Sequence, residues 1–310
     1  MKAQPPTEKD VTPQEVYLKR RALLKAVGIG VISMGLGGLL SQVKSSDTVG
    51  IKAGGSDEFG NPVNPMNHAT GFTNYYDVSV DKRRVQELAQ RIRTDEWTLS
   101  VGGAVHKPIT YNLDDIAKKF PSRQEICRMR CVEAWSVVLP WDGFPLGDLL
   151  NASEPMGSAK FVRFESKLDP TQFVGQLNKA YPWPYFEALR MDEAMHPLCM
   201  MAVGMYGQPL PKVNGAPIRL VVPWKYGFKS AKAVIKIELT EEQPQTFWNV
   251  TNPAAYGFWA NVNPDVHHPN WSQASEYRLG FKEKIPTLLF NGYGHQVAHM
   301  YKGMDLRALY

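Results

Sequence analysis

Short apolar segments interrupted by prolines most restrict how this chain of 310 residues can fold. The chain contains 23 prolines, and proline breaks helices and is excluded from the interior of sheets. Alternation and β-branched content predict strands at 97–105, 159–166, 199–206, 217–224 and 233–241, and short helices at 111–120, 144–150 and 189–195. Short elements of both kinds, without a regular strand-helix-strand order, indicate an α+β, mostly β domain rather than a wound parallel sheet.

The charge balance argues against nucleic acid as a partner. The formal net charge is +5, and most of this excess lies in the first 44 residues. The rest of the chain is nearly balanced and has no block of like charges, so it lacks the basic footprint that nucleic acid requires.

The N-terminus has the pattern of an export signal. Arg20 and Arg21 precede a run without charge, Val27–Leu40. As a helix this run spans about 21 Å, which is short of the roughly 30 Å hydrocarbon core of a bilayer. The sequence R-R-x-L-L-K resembles a twin-arginine signal, and the alternative is a short N-terminal helix. We therefore predict a twin-arginine signal peptide over 1–50, with no clear cleavage motif, and export to the periplasm by a route that carries folded proteins, often with a cofactor.

Residues 51–310 are predicted to form a single catalytic domain. Residues 52–70 are rich in Gly, Pro, Asn and Ser, which favours an extended N-terminal arm. The segment from about 242 to 310 is rich in Asn, Pro, His and aromatic residues, and we expect it to wrap the domain.

The three cysteines differ in their surroundings. In a strand, Cys127 and Cys131 would lie about 13 Å apart, too far for a disulfide, and the set with Cys199 does not match a zinc site. Cys199 lies in an apolar run, and a core position is favoured for it and for Cys127. Cys131 follows Arg128 and Arg130, which we expect to favour its thiolate, as in a nucleophile or a metal ligand; a packed core thiol remains the alternative.

The histidines do not form a convincing metal site. His267 and His268 are adjacent, and His295 and His299 have helical spacing. No carboxylate lies between the second pair as in zinc-binding helices, so surface or packing roles are predicted.

Basic residues near 219–232 suggest a site for an anion. Arg219 lies in an apolar strand, where a charge needs a partner. Lys225, Lys229 and Lys232, together with Ser230, follow it in a loop of the kind that binds phosphate. The alternative is a salt-bridged arginine beside a solvated lysine face.

Several long blocks resemble one family. RMRCVEAWSVVLPWDGFPLGDLL, LRMDEAMHPL, NGAPIRLVVPWKYGFKSAK, YGFWANVNP and PTLLFNGY look like the MsrP (YedY) family, the catalytic subunits of bacterial periplasmic methionine-sulfoxide reductase systems. The resemblance extends over nearly the whole chain. It implies the sulfite-oxidase-type molybdopterin-binding fold and one Mo-molybdopterin per chain, with Cys131 as the metal ligand.

The resemblance also implies which residues bind the cofactor. They are Thr73, Tyr76, Asp77, Cys131, Ser166, Asn214, Arg219, Ser230, Ala231 and Lys232. Two positions depart from the family pattern. Thr73 stands where asparagine is frequent, so Asn74 is an alternative, and Ser166 stands where threonine is usual.

The implied activity is reduction of methionine sulfoxide residues in oxidised periplasmic proteins, by oxygen-atom transfer to molybdenum. The implied electron donor is MsrQ, a haem-containing membrane protein that draws on quinones. Cys131 and Glu133 are the predicted catalytic residues, although a salt bridge to Arg128 or Arg130 is an equal alternative for Glu133.

Three aromatic residues were further candidates for the substrate pocket. Trp135, Trp224 and Tyr226 are expected to wall a pocket for a methionine side chain, or else to belong to the core. The alternative activity is oxidation of sulfite, which would require several arginines at the metal. A non-enzymatic alternative is an exported binding protein in which Cys131 is structural.

Overall fold

The computed structural model describes residues 55–308. The predicted signal peptide, 1–50, lies outside the described residues. Within 55–308, no helix has both the length and the apolar character needed to cross a bilayer.

Short strands make up most of the regular structure. The strands are β1 (Thr98–Gly103), β2 (Ile109–Asn112), β3 (Arg123–Cys131), β4 (Trp135–Pro145), β5 (Phe161–Ser166), β6 (Phe186–Arg190), β7 (Met200–Met205), β8 (Gln208–Pro209), β9 (Arg219–Val221), β10 (Val234–Thr240), β11 (Ser275–Arg278) and β12 (Lys284–Pro286).

The helices between them are shorter still. The α-helices are α1 (Met66–Gly71), α2 (Val85–Leu88), α3 (Leu113–Lys119), α4 (Leu146–Asn151), α5 (Met191–Ala194), α6 (Phe247–Thr251) and α7 (Gly294–Val297). Single 3-10 turns cover Ala89–Arg91, Val174–Leu177, Lys212–Asn214, Gly227–Lys229, Leu289–Gly292 and Ala298–Tyr301.

The strands form two mixed sheets. One has the order β2-β1-β10-β5-β6, in which β1 and β10 are parallel. The other follows β12-β11-β4-β7-β8, with β3 paired to β4 and β9 paired to β7. Apolar side chains of both sheets, such as Val101, Phe164 and Met201, belong to one buried cluster. The two sheets therefore share a core, and the α+β, mostly β class predicted from the sequence is confirmed.

Four predicted elements differ in extent from the structure. The helices expected over 111–120 and 144–150 begin at Leu113 and Leu146, because the residues before them end β2 and β4. Residues 189–195 were expected to be helical throughout, but Leu189 and Arg190 end β6 and the helix begins at Met191. The strand expected over 217–224 is limited to Arg219–Val221. Pro217 and Pro223 lie on either side of it and cannot donate to a ladder.

The first described residues lie against the second sheet. Asn64 is fully buried, accepts a hydrogen bond from Val138 N at 2.9 Å and donates to the carbonyl of Leu279. Near the C-terminus, Asn291 donates to the carbonyls of Arg128 and Pro223, both at 2.8 Å. Both ends of the described chain are thus attached to the sheet that carries Cys131.

Candidate active site

A tight hairpin positions Cys131. Cys131 ends β3 and pairs with Trp135 at the start of β4, which leaves a loop of three residues, 132–134. Ala134 N donates to Cys131 O at 3.2 Å, and Ala134 has a φ of 62°. A turn followed by a left-handed residue is a common geometry of three-residue hairpins. A left-handed backbone at a non-glycine residue is strained, and such strain is frequent at functional sites. Here the strained residue belongs to the tight turn that sets the position of the thiol.

The arginines beside Cys131 do not face its sulfur. Side chains alternate along a strand, so Arg128 and Arg130 lie on the face opposite to that of Cys131. Arg130 Nε pairs with Glu276 Oε2 at 2.6 Å, and Arg128 donates to Asn291 O at 2.5 Å.

Arg130 lowers the pKa of Cys131, as expected from the sequence, but this effect is outweighed. Burial, followed by the charge of Glu133, raises the pKa of Cys131 to about 11. The protein alone does not stabilise the thiolate, whereas a bound cation would do so directly.

Glu133 lies at the tip of the hairpin among three donors. Its Oε2 atom is 3.1 Å from Lys82 Nζ and accepts hydrogen bonds from Asn74 Nδ2 and Trp135 Nε1, both at 3.2 Å. The alternative of a salt bridge to Arg128 or Arg130 is wrong, because both arginines have other partners. No sequence pattern pointed to Lys82, because it lies 51 positions before Glu133.

Asn74 joins the two predicted catalytic residues. Its Nδ2 atom donates to Cys131 Sγ at 3.3 Å as well as to Glu133. Thr73, the residue implied by the resemblance, lines the same cavity but has no comparable contact with the sulfur among those observed. Asn74, the alternative considered for this position, is thus the neighbour of the thiol.

Cys131 opens into a large cavity. The cavity encloses about 1100 Å³ of space between atoms, part of it open to solvent. Eight of the ten residues predicted to bind the cofactor line it: Thr73, Tyr76, Asp77, Cys131, Asn214, Arg219, Ser230 and Lys232.

The other two predicted cofactor residues lie behind the residues that line the cavity. Ser166 Oγ donates to Lys232 O at 2.6 Å, and the buried Ala231 accepts a hydrogen bond from Leu220 N. Both residues hold the backbone of the segment that lines the cavity rather than contributing side chains to its surface.

One end of the cavity carries uncompensated positive charge. Arg219 donates to the carbonyls of Leu220, Asn214 and Ser230 and has no carboxylate at ion-pair distance among the described residues. Burial lowers the pKa of Arg219 to about 10 and, with the charge of Arg219, lowers the pKa of Lys232 to about 7. A buried anion would relieve this cost because it would supply the missing counter-charge.

Asp77 is a buried carboxylic acid near Lys232, at the positively charged end of the cavity. Burial raises its pKa to about 6, partly opposed by a hydrogen bond from Gln176. Asp77 and Lys232 interact but do not form a close ion pair, so the carboxyl does not neutralise the site.

Two of the three lysines predicted to form a basic loop are structural. Lys225 Nζ lies 2.6 Å from Glu193 Oε1, and Lys229 Nζ lies 2.7 Å from Glu187 Oε2, with all four side chains buried. The expectation of a basic or solvated lysine loop is therefore wrong for these two, and of the three only Lys232 lines the cavity.

Of the three aromatic candidates, Trp135 lines the main cavity, whereas Trp224 and Tyr226 are buried and follow the core alternative. Trp224 is fully buried and donates to the hydroxyl of Tyr301, while Tyr226 lines a separate, smaller cavity. Aromatic residues that the sequence did not single out line the cavity instead: Phe72, Trp141, Tyr185, Phe228, Trp248 and Tyr256. Tyr256 lies within YGFWANVNP, a block that contributed to the resemblance, which was the only signal for it.

The cavity wall has unsatisfied polar atoms suited to a polar heterocycle. Asn74 Oδ1, Tyr75 Oη, Trp141 Nε1 and Asn214 Oδ1 are buried without a hydrogen-bond partner in the described part of the chain. Buried polar groups are nearly always paired, so a ligand with several donors and acceptors is expected here. These orphaned atoms, the two unpaired cations and the single sulfur together fit a phosphorylated pterin with a metal at the Cys131 end.

Other side chains do not offer a competing metal site. Within residues 55–308, no group of three or more His, Cys, Asp or Glu side chains is placed to hold a metal ion. His295 is exposed, 3.9 Å from Glu58, and His268 packs on the rings of Tyr256 and Trp271. Among the described residues that line the main cavity, Cys131 is the one cysteine, so a single thiolate is the soft ligand expected there.

Comparison with known proteins agrees with this geometry. The family model described as oxidoreductase molybdopterin binding domain matches residues 86–248. This range includes Cys131, Asn214, Arg219 and Lys232, and it leaves out the part of the cavity wall near Thr73.

A solved structure also matches part of the chain. It is the sulfane dehydrogenase SoxCD from Paracoccus pantotrophus, at 21% identity and a TM-score of 0.41. The match covers 49% of this chain and 40% of that chain. The family match and the two mixed sheets together confirm the predicted sulfite-oxidase-type molybdopterin-binding fold.

Proposed function

Because this chain belongs to the oxidoreductase molybdopterin binding domain family, we propose that it reduces methionine sulfoxide residues in proteins. Membership of the family supplies the cofactor class and the redox character. The choice of substrate rests on the side chains around Cys131.

The cofactor would lie along the described cavity, one molecule per chain. Mo-molybdopterin, when bound, supplies two-electron oxygen-atom transfer. Cys131 would bind the metal through its sulfur, while Arg219 and Lys232 would hold the phosphate of the pterin. Asn214 and Trp141 would hydrogen-bond the ring system through the atoms that now lack partners.

The mouth of the cavity suits a thioether side chain. Phe72 and Trp135 make an edge-to-face contact at 5.3 Å between ring centroids, and Tyr76 and Trp248 make another at 5.1 Å. These four side chains are half-buried. Sulfur packs favourably against aromatic rings, and a mouth formed by half-buried rings is accessible to a side chain presented by another protein.

Hydrogen-bond donors lie beside the thiol, and this is the observation that carries the proposal. Asn74 Nδ2 and Trp135 Nε1 both point to the space around Cys131 and Glu133. The oxygen of a sulfoxide is a strong acceptor on a neutral molecule. These donors serve Glu133 and Cys131 in the substrate-free site and would be shared with that oxygen when substrate binds. Glu133 with Lys82 would hold protons close to the atom that is removed.

The alternative activity, oxidation of sulfite, is less well supported by the residues that line the cavity. A dianion would need several unpaired arginines around the open side of the metal. Of the described residues that line the cavity, Arg130 and Arg219 are the arginines. Arg130 is paired with Glu276, and Arg219, which is proposed to hold the pterin phosphate, donates to the carbonyl of Asn214. A carboxyl, Glu133, stands next to Cys131 instead.

The cellular setting is part of the proposal. The twin-arginine pattern supports export of the folded, loaded protein to the periplasm. The resemblance to the MsrP family supports a haem-containing membrane protein, MsrQ, as electron donor, and oxidised periplasmic proteins as substrates. No nucleic acid partner is proposed.

The experiment compares the two activities on one preparation of the molybdenum-loaded protein. Reduction of an oxidised, methionine-rich protein is followed by mass spectrometry with a reduced viologen as donor, and sulfite oxidation is followed with an artificial acceptor. We expect turnover of the sulfoxide and at most trace oxidation of sulfite. Sulfite oxidation without sulfoxide reduction would establish the alternative activity, and loaded protein without either activity would reject both.

A further inference from the structure

A second, smaller cavity lies directly behind the hairpin that carries Cys131. It is lined by Val132, Tyr226, Phe228, Ala255, Tyr256, Val266, His268 and Gln273, and it comprises about 230 Å³ of space between atoms, part of it open to solvent. Val132, Phe228 and Tyr256 also line the main cavity. The two spaces are therefore separated by a single layer of side chains, immediately beside the metal-binding residue.

Two buried polar atoms without partners belong to the walls of this cavity. His268 and Gln273 are 6% and 1% exposed, and neither His268 Nε2 nor Gln273 Oε1 has a hydrogen-bond partner in the described chain. Two orphans in one small cavity are unusual, since buried polar atoms are paired with protein or ordered water.

Neighbouring contacts fix the chemical character of each atom. Asn270 N donates to His268 Nδ1 at 3.1 Å, so in the neutral ring Nδ1 is the acceptor and the proton is on Nε2. Burial lowers the pKa of His268 and favours this neutral form. Gln273 Nε2 donates to the carbonyls of Val132 and Trp271, at 2.7 and 3.0 Å, which leaves Oε1 as an acceptor.

The cavity thus presents one donor and one acceptor. A water molecule can accept from His268 Nε2 and donate to Gln273 Oε1 at the same time. An anion would be repelled by the glutamine oxygen, and a cation by the imidazole N–H. The space that the centre of a water molecule can reach is about 10 Å³, which is close to the lower limit for one water and too small for a larger ligand.

We propose that this cavity is a permanent site for ordered water that bridges His268 and Gln273 and thereby positions Cys131. The connection to the metal ligand is short. Gln273 holds the carbonyl of Val132, the residue next to Cys131, and the water holds the other end of the glutamine amide. His268 is itself fixed by packing on the rings of Tyr256 and Trp271, at centroid distances of 4.9 and 4.6 Å. His268 and Gln273 are therefore positioning residues, and the inference does not depend on the identity of the substrate.

The first test is a crystal structure of the molybdenum-loaded protein at roughly 1.2 Å or better, where water and amide orientation are well defined. We expect a fully occupied water within hydrogen-bond distance of both His268 Nε2 and Gln273 Oε1. A dry cavity, or a direct bond between the two side chains, would overturn the proposal whatever the catalytic activity.

The second test measures the effect on the metal. His268→Phe keeps a ring of similar size against Tyr256 and Trp271 but removes the donor, and His295→Phe is the matched control at an exposed site. We expect His268→Phe to lose the water, to retain molybdenum, and to give a shifted or broadened electron paramagnetic resonance spectrum of the metal. An unchanged spectrum would refute the positioning role. Gln273→Met, which removes the acceptor, is the second variant. If neither variant folds, the wild-type crystal structure decides whether the water site exists.

Discussion

Asn74 Nδ2 lies 3.3 Å from Cys131 Sγ and donates a hydrogen bond to it. The same atom donates to Glu133 Oε2 at 3.2 Å, so one amide holds the proposed metal ligand and the proposed acid in a fixed relation. A donor to a coordinating sulfur withdraws charge from it and tunes the metal. With Cys131 as the proposed metal ligand, this contact would let the chain tune the reactivity of its cofactor.

Removing that donor should impair the metal site. Replacing Asn74 by Leu is expected to lower the rate of sulfoxide reduction about 10- to 100-fold, the range typical for loss of a partner of a metal ligand. The steady-state rate and the molybdenum content are measured together. Asn151→Leu, at the exposed end of α4, is the control and should leave both unchanged; an unaffected Asn74→Leu enzyme would show that the contact has no role.

Cys131→Ser should abolish retention of molybdenum, because the hard serine oxygen is a poor replacement for the soft sulfur ligand. Metal analysis of the purified variant is the measurement. Cys199→Ser is the matched control: Cys199 is fully buried away from the cavity, so it should lose about 1 to 2 kcal/mol of stability and keep its metal. A Cys131→Ser protein with full metal would contradict the assigned ligand and favour a structural cysteine.

Glu133→Gln is expected to lower kcat by about 100-fold or more, with molybdenum retained, if the carboxyl transfers protons during turnover. Glutamine preserves the size of the side chain and most of its hydrogen bonds to Asn74 and Trp135. The measurement is kcat at saturating substrate, with Glu154→Gln on the surface as control. A change in kcat of less than about threefold would mean that Glu133 serves only as the counter-charge of Lys82.

Lys232→Met should have opposite effects on stability and on cofactor binding. Burial lowers the pKa of Lys232 from 10.5 to about 7, so the folded, cofactor-free protein disfavours the charged form. The resulting loss of stability grows as the pH falls from about 10 to about 7 and is then constant. We expect Lys232→Met to raise the free energy of unfolding of the cofactor-free protein by up to about 5 kcal/mol at pH 6, at roughly 1.4 kcal/mol per pKa unit, with no gain above pH 10.

The same variant should fail to load the cofactor, since the phosphate would lose its counter-charge. Denaturant titrations at both pH values and metal analysis test the two effects separately, with the exposed Lys236→Met as control. A variant that loads normally would remove Lys232 from the cofactor site.

The buried pair of Arg130 and Glu276 should be far more important for stability than a surface pair. Both side chains are at most 1% exposed, and Thr287 Oγ1 also donates to Glu276 at 2.8 Å. Glu276→Gln leaves a buried guanidinium without a counter-charge, so we expect a loss of about 3 to 5 kcal/mol in chemical unfolding. Glu165→Gln, which breaks a half-exposed pair with Arg163, should cost at most about 1 kcal/mol. Equal losses of unfolding free energy in the two variants would show that other interactions compensate for the broken buried pair.

Local patterns were sufficient for several elements of the fold and for part of the site, but they did not predict the strands Arg123–Cys131 and Trp135–Pro145 that carry the hairpin. Alternation and β-branched content predicted strands that the structure confirms near Thr98–Gly103, Phe161–Ser166 and Val234–Thr240, because these preferences act over a few residues. Arg219 was identified from the sequence because a charge in an apolar strand requires a partner wherever that strand is placed. Cys131 was selected from three cysteines by its neighbours and by the family resemblance.

Only the tertiary structure decided what surrounds those residues. The alternation of β3 turns Arg130 away from Cys131, and Glu276, 146 residues along the chain, provides its partner. The donor to Cys131 comes from Asn74, 57 residues before it, and Lys225 and Lys229 are occupied by buried glutamates rather than by an anion. Residue types and local spacing are properties of the sequence, but burial and long-range pairing depend on how two sheets and a hairpin pack together. Those two quantities fix the charge state and the orientation of every group at this site.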